Sequence, residues 1–101
     1  MNLQERIQVF TLLGEYLKTD IYQQAGEELN LAKVLNPWFT KKNINKALSA
    51  WHEQLKVDML TAWLNPYKIK EVKSPKKVLI IMAGNIPLVG FHDFLTVLIS
   101  G

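Results

Sequence analysis

Apolar residues recur every three or four positions through the first two thirds of the chain. In the opening segment this apolar series consists of Leu3, Ile7, Phe10, Leu13 and Leu17. The spacing places them on one face of an amphipathic helix, with Asn2 positioned to cap its first turn. Gly14 lies within this helix, where glycine costs roughly 1 kcal/mol relative to alanine, so it indicates close packing against a neighbouring element.

A second helix is predicted from Ile21 to about Leu29 or beyond, with Asp20 as its cap. Its apolar pattern is weaker than that of the first helix. Asn36 and Pro37 end the segment, because a residue before proline avoids the helical backbone conformation.

Thr40 is predicted to cap a third helix, with Phe39 packing on Ile44 as a hydrophobic staple. The apolar face of this helix consists of Ile44, Leu48, Trp51 and Leu55. A short fourth helix covers 57–64, beginning near Asp58, and a second Asn-Pro pair at 65–66 ends it.

The last quarter of the chain has a different pattern. Residues 78–82 are apolar without interruption, and three of the five are β-branched, which is typical of a strand buried on both faces. Farther on, one helix face consists of Phe91, Phe94, Leu95 and Leu98. The pattern therefore predicts a strand, a glycine-containing loop and a helix. Such a strand needs neighbouring strands, which the rest of these residues do not supply.

The predicted fold class is mostly α: a helical section over 1–66, a basic linker over 67–77, and a strand-loop-helix over 78–101 that would begin an α/β domain. The net charge is +3, and the excess comes from lysines at 68, 70, 73, 76 and 77 around a single acid, Glu71. A lysine run can bind nucleic acid. Ser74 and Pro75 favour a solvated linker instead, and beyond Tyr67 no aromatic residue offers a stacking platform. We therefore expect no nucleic-acid partner.

Composition excludes several kinds of site. The chain has no cysteine, which excludes a disulfide, a thiolate metal site and a cysteine nucleophile among these residues. Two distant histidines do not make a metal site. The most apolar stretch is interrupted by Asn85, Pro87, His92 and Asp93, so we expect no membrane span, and the N-terminus lacks the apolar core of a signal peptide. The expected location is the cytoplasm.

Tryptophan and histidine each leave alternatives open. We interpret Trp38, Trp51 and Trp63 as core anchors and linker contacts rather than as an aromatic surface for a cofactor or acyl chain. His52 is predicted to be a half-exposed surface residue. His92 and its neighbour Asp93 do not face each other on a helix, so they form no dyad, and His92 can be a base or a loop cap.

The loop at Ala83, Gly84, Asn85, Ile86 and Pro87 is the place where chemistry is expected. The turn from a strand into a helix is where open α/β sheets bind ligands. Glycine permits close approach, and the Asn85 amide could donate to a developing oxyanion. However, Gly84 and Gly90 are six positions apart, which fits neither G-x-G-x-x-G nor a Walker loop. The local chemistry alone therefore favours a plain Gly-Asn turn over a binding loop.

The chain resembles the N-terminal region of bacterial acyl-CoA reductases, which are related to the fatty-acid reductase of luminescence in the aldehyde dehydrogenase superfamily. The most specific part is AGNIPLVGFHDFL, and NPWFTKKNINKALSAW, WLNPY and MNLQERIQVFTLLGEYL add to it. The resemblance implies a cytoplasmic oxidoreductase of fatty acid metabolism that reduces an acyl-CoA to an aldehyde through a cysteine acyl-enzyme, with NADP or NAD as cofactor.

By the same resemblance, Asn85 is the oxyanion donor, and Ala83, Gly84, Ile86 and Pro87 lie with it beside the cofactor. The cysteine is absent, so the chain is expected to be an N-terminal fragment that is inactive by itself and could self-associate through uncovered apolar surface. Whether it is an enzyme in its own right is left open. The alternative is a non-enzymatic helical interaction module with a basic segment and an apolar docking unit.

Overall fold

The computed structural model describes residues 1–19 and 21–101, and only the backbone of residues 22 and 23. This part of the chain is mostly helical, as predicted. Its elements are α1 (Leu3–Lys18), α2 (Ile21–Gln24), α3 (Gly26–Leu35), α4 (Lys41–Gln54), α5 (Val57–Leu64), a 3₁₀ turn (Asn65–Tyr67) and α6 (Phe91–Ser100).

Two helices begin at the caps that the sequence predicts. The Asn2 side chain accepts a hydrogen bond from the Glu5 main-chain N–H at 2.9 Å, and the Glu5 carboxylate accepts one from the Asn2 N–H at 2.7 Å. This reciprocal pair is a capping box. At α4, the Thr40 hydroxyl accepts from the Asn43 N–H at 3.2 Å. These contacts satisfy main-chain donors that the first helical turn leaves free.

The predicted second helix is divided into α2 and α3. Ala25 separates them with φ −129° and ψ 34°, and α3 then starts at Gly26. Glycine lowers the helix propensity at this point, which favours a break over a continuous helix. Asn36 is extended after α3, so the predicted end before Pro37 is confirmed. The predicted cap at Asp20 lies outside the described residues.

One hydrophobic core joins α1, α4, α5 and α6. Its buried members are Ile7, Phe10, Leu17, Ile44, Leu48, Leu55, Leu60, Leu64, Leu95 and Ile99. Helix α1 lies at the centre, because it packs on α4, α5 and α6. Of the predicted staple residues, Ile44 is a buried member of this core, and Phe39 is partly buried and packs against it. The last helix therefore packs on the N-terminal helical section.

Arg6 ties the two ends of the described chain together. Its Nε donates to the Ile99 main-chain oxygen at 2.9 Å, and its Nη1 donates to the Met1 oxygen at 2.6 Å. Arg6 is buried, yet these bonds satisfy its guanidinium, and a cation is favourable at the C-terminal end of α6.

The strand predicted at 78–82 does not form. Residues 70–83, the extended segment, are neither helix nor strand. Leu79 and Ile81 are 85% and 88% exposed. A strand is stabilised by hydrogen bonds to a neighbouring strand, and no other part of the described chain provides one. The apolar run alone was therefore not sufficient to predict a strand.

Candidate functional site

Four of the five predicted loop residues line an apolar groove. Gly84, Asn85, Ile86 and Pro87 form one wall, and Ala83 is exposed outside it. Core side chains of α1 and α4 form the floor, namely Leu17, Ile44 and Leu48, and the opposite wall is α3. This α3–α4 groove has a volume of about 450 Å³. The structure thus places the predicted loop against α1, α3 and α4, a position that the sequence did not predict.

Tight turns hold the loop in front of α6. The Val89 N–H donates to the Ile86 oxygen at 3.3 Å, and the Phe91 N–H donates to the Leu88 oxygen at 3.1 Å. Leu88 has φ 60° and Gly90 has φ 70°. A leucine is strained in this left-handed region, and the hydrogen bonds of the surrounding turn hold Leu88 in that conformation.

Gly90 is required by both conformation and space. Gly90 has a positive φ, and a Cβ added at this position would lie 2.6 Å from Met82 Cγ, which is too close. Gly84 is different, because a Cβ there would meet nothing within 4 Å. Open space beside Gly84 leaves room for a ligand, but it does not distinguish a binding loop from a plain turn.

Asn85 is exposed at the edge of the groove. No side chain or main-chain group of the described residues bonds its amide. The amide N–H groups are therefore free to donate to a carbonyl oxygen of a ligand in the groove. This is the polar chemistry that the predicted oxyanion role needs.

The electrostatics of the groove do not suit a dinucleotide. Among the described lining residues Glu28 is the charged one, and none is a lysine, an arginine or an aromatic residue. Among these described residues, phosphates would find no cation, and the adenine and nicotinamide rings would find no aromatic side chain to stack on. The described lining by itself does not fit NADP, and the cofactor stays a prediction.

A second groove of about 560 Å³ lies beside the first and shares Ile44, Pro87 and Leu88 with it. Trp38 lines this second groove and is 83% exposed. Trp38 is therefore not a core anchor, but it lies in the connection between α3 and α4, which is compatible with a linker contact. Trp51 and Trp63 are partly buried against the core, as expected.

Aromatic rings lie on one side of His92, whose side chain is otherwise exposed. The rings of Trp51 and Phe91 pack edge to face with centroids 4.5 Å apart, and the His92 ring lies 5.8 Å from that of Trp63. His92 does not line the α3–α4 groove. The structure therefore does not bring His92 together with Asn85, and His92 has no catalytic partner among the described groove residues.

His52 is buried, contrary to the predicted half-exposed position. Its Nδ1 lies 2.9 Å from the Gly14 main-chain oxygen, so Nδ1–H donates to α1. Its carboxylate neighbours are Glu15, 3.8 Å from Nδ1, and Glu53, 3.7 Å from Nε2. The signal was present in the sequence, because His52 continues the i, i+4 series of Ile44 and Leu48.

No group of three or more potential metal ligands occurs in the described part of the chain. Within the same residues, every helix is too short or too polar to cross a bilayer. Comparisons of the chain with protein-family models, with curated proteins and with solved structures return no match.

Proposed function

We propose that these residues form the N-terminal part of an NAD(P)H-dependent acyl-CoA reductase, an oxidoreductase that converts a fatty acyl thioester to an aldehyde. The observation that carries the proposal is the position of Asn85, whose free amide lies at the edge of an apolar groove. An acyl thioester has both features that this arrangement suits, an apolar chain and a carbonyl oxygen.

In this proposal a thiolate attacks the carbonyl carbon, and coenzyme A later leaves as a thiolate when the carbonyl re-forms. During the attack the C=O π electrons move to the carbonyl oxygen, to which Asn85 donates a hydrogen bond. Negative charge develops on that oxygen, so a donor already in place stabilises the transition state more than the substrate. The sequence contains no cysteine, so the thiolate belongs to residues outside it. The 101-residue chain alone is then inactive.

The extended segment also supports the proposal. Leu79 and Ile81 are exposed on a backbone that no described neighbour pairs. In an α/β domain, residues 78–82 would pair with adjacent strands and bury these side chains. The proposal therefore gives the apolar run a partner that the described residues lack.

The test starts from the coding frame downstream of codon 101. The proposal expects an open frame with a cysteine, and the product of that frame should oxidise NADPH only when an acyl-CoA is present. Asn85→Ala should lower kcat by about 10²- to 10³-fold, the usual cost of losing one oxyanion donor. Asn30→Ala, at an exposed position of α3, is the matched control and should leave kcat unchanged.

Two results would contradict the proposal. One is a stop codon after Gly101 in the native gene, with no acyl-CoA reduction by its product. The other is acyl-CoA reduction by the 101-residue chain itself, since no residue present can form the thioester.

A helical interaction module is the second candidate. It is favoured by the exposure of large apolar side chains outside the groove, among them Val34 at 77% and Trp38 at 83%. A stop codon after Gly101 together with a stable complex that buries Trp38 would support this candidate. A shift of tryptophan emission to shorter wavelength on complex formation, lost in Trp38→Phe, measures that burial.

A further inference from the structure

The α3–α4 groove reaches the hydrophobic core of the protein. Its floor residues Leu17, Ile44 and Leu48 are 8%, 3% and 6% exposed, so a ligand in the groove would lie directly on core side chains. A volume of about 450 Å³ is within the range of small-molecule sites, roughly 300–1,000 Å³. A narrow ligand therefore fits the groove by volume, with core side chains beneath it.

The lining chemistry excludes several ligand classes. The described lining contains no aromatic or basic residue, so these side chains neither stack on flat rings nor pair with anions. Glu28 at the groove would repel a carboxylate or a phosphate. A peptide would bury amide groups, and the apolar floor offers them no hydrogen-bond partner.

We propose that the α3–α4 groove binds an uncharged aliphatic chain, with the polar head of that ligand beside Asn85. An aliphatic chain gains free energy from burial against Leu17, Ile44 and Leu48 and leaves no polar group unpaired. The head is a neutral hydrogen-bond acceptor, which the Asn85 amide serves as a donor. A free fatty acid is disfavoured, since the negative charge of Glu28 on the same groove would repel its carboxylate.

Naming the physiological ligand as the acyl part of a thioester rests on the proposed function, whereas aliphatic binding rests on the groove alone. Every residue of the site belongs to this chain. Binding therefore requires neither the missing cysteine nor a cofactor, and the 101-residue chain itself can be tested.

The first experiment is calorimetric titration of the chain with 1-decanol and, separately, with decanoate at neutral pH. We expect one decanol per chain and an affinity for decanoate at least about tenfold lower, equivalent to about 1.4 kcal/mol. Glu28→Gln should reduce this difference by strengthening decanoate binding while decanol binding is unchanged.

The second experiment fills the groove. Ala32 lies in its wall on α3, and Ala32→Trp should weaken decanol binding at least about tenfold. Val9→Trp adds the same indole to an exposed position of α1 outside the groove and should have no effect. If Ala32→Trp loses its helical circular dichroism, Leu35→Asp at the exposed rim replaces it, with the same expected loss.

The proposal is overturned if decanol does not bind, if decanoate binds as tightly as decanol, or if a folded Ala32→Trp variant binds decanol normally. It is also overturned if Ala32→Trp abolishes self-association of the chain, which would show that a second copy closes the groove. Decanol binding by the chain, combined with no reductase activity of the complete reading frame, would reject the proposed function and keep this inference.

Discussion

The imidazole Nδ1 of His52 lies 2.9 Å from the main-chain carbonyl oxygen of Gly14. This contact joins α4 to α1 at a point where α1 has no side chain. Close approach of the two helices is possible because of Gly14, and His52 satisfies the carbonyl that this approach buries. The two residues therefore form one packing unit, and each supports a separate prediction.

Replacing His52 by leucine should destabilise the fold by about 1–3 kcal/mol, because the variant loses the hydrogen bond to the Gly14 oxygen in a buried site. Urea unfolding followed by circular dichroism measures the free energy of unfolding. His92→Leu, at an exposed histidine, should change it by about 0.5 kcal/mol or less. Equal losses in the two variants would show that the Gly14 contact has no special role.

Gly14→Ala should also be destabilising, although alanine is the better helix former by roughly 1 kcal/mol. A Cβ at this position would lie 2.8 Å from Leu55 Cβ, and Leu55 is fully buried, so one helix must move. We expect a net loss of about 1–3 kcal/mol, the usual cost of overpacking.

Gly26→Ala is the matched control, since a Cβ there meets nothing within 4 Å. It should be neutral or stabilising by up to about 1 kcal/mol. A stabilised Gly14→Ala variant, similar to Gly26→Ala in urea unfolding, would contradict the close approach of α1 and α4.

Arg6→Met should loosen α6 from α1. The variant removes donors to the Ile99 and Met1 oxygens, and hydrogen bonds from a charged group each contribute about 1.5–3 kcal/mol. Hydrogen exchange of the amides in the last turn of α6 should accelerate. Lys46→Met removes a charge from an exposed position of α4 and should leave these exchange rates unchanged. Unaltered exchange in Arg6→Met would show that α6 is held by the core alone.

The features that sequence reasoning predicted well are local. Asn2 and Thr40 cap their helices with bonds to residues three positions ahead, and Pro37 acts on its own neighbour. Such contacts depend on a few adjacent residues, so the sequence pattern contains them.

The features that it missed depend on distant residues. His52 is buried because α1 carries Gly14 at the facing position, and Arg6 is buried because its acceptor belongs to Ile99. The loop at 84–87 was identified from its own residues, but its opposite wall is α3 and followed only from helix packing. The strand at 78–82 failed for the same reason, since pairing needs a second segment.

The ion pair between Glu53 and Lys56 predicts that its contribution to stability is lost both at low pH and at high pH. Their charged groups are 2.6 Å apart. The hydrogen bond from Lys56 lowers the pKa of Glu53, and the same bond raises the pKa of Lys56. The pair stabilises the fold between these two pKa values. Its contribution is lost as pH falls through the lowered carboxylate pKa and as pH rises through the raised ammonium pKa.

Because both groups are exposed to solvent, the effect on stability is small, and the pKa is the better measurement. In Lys56→Met, the pKa of Glu53 should rise toward the ordinary value of a glutamate, as followed by carboxyl carbon NMR. Lys33→Met on α3 is the control and should leave it unchanged. A Glu53 titration that is identical in both variants would exclude the ion pair in solution.

The extended segment predicts self-association of the chain. Leu79 and Ile81 project from a backbone with unpaired hydrogen-bonding groups, and such a segment is a template for pairing with another copy. Sedimentation velocity should show concentration-dependent association, which added salt promotes by screening the lysines at 76 and 77.

Ile81→Lys should shift the chain toward monomer, because a charge would then be buried in the paired strands. Leu12→Lys makes the same change at a 70% exposed position of α1 and should leave association unchanged. If both variants associate like the unmodified chain, the contact lies elsewhere and residues 78–82 are not its template.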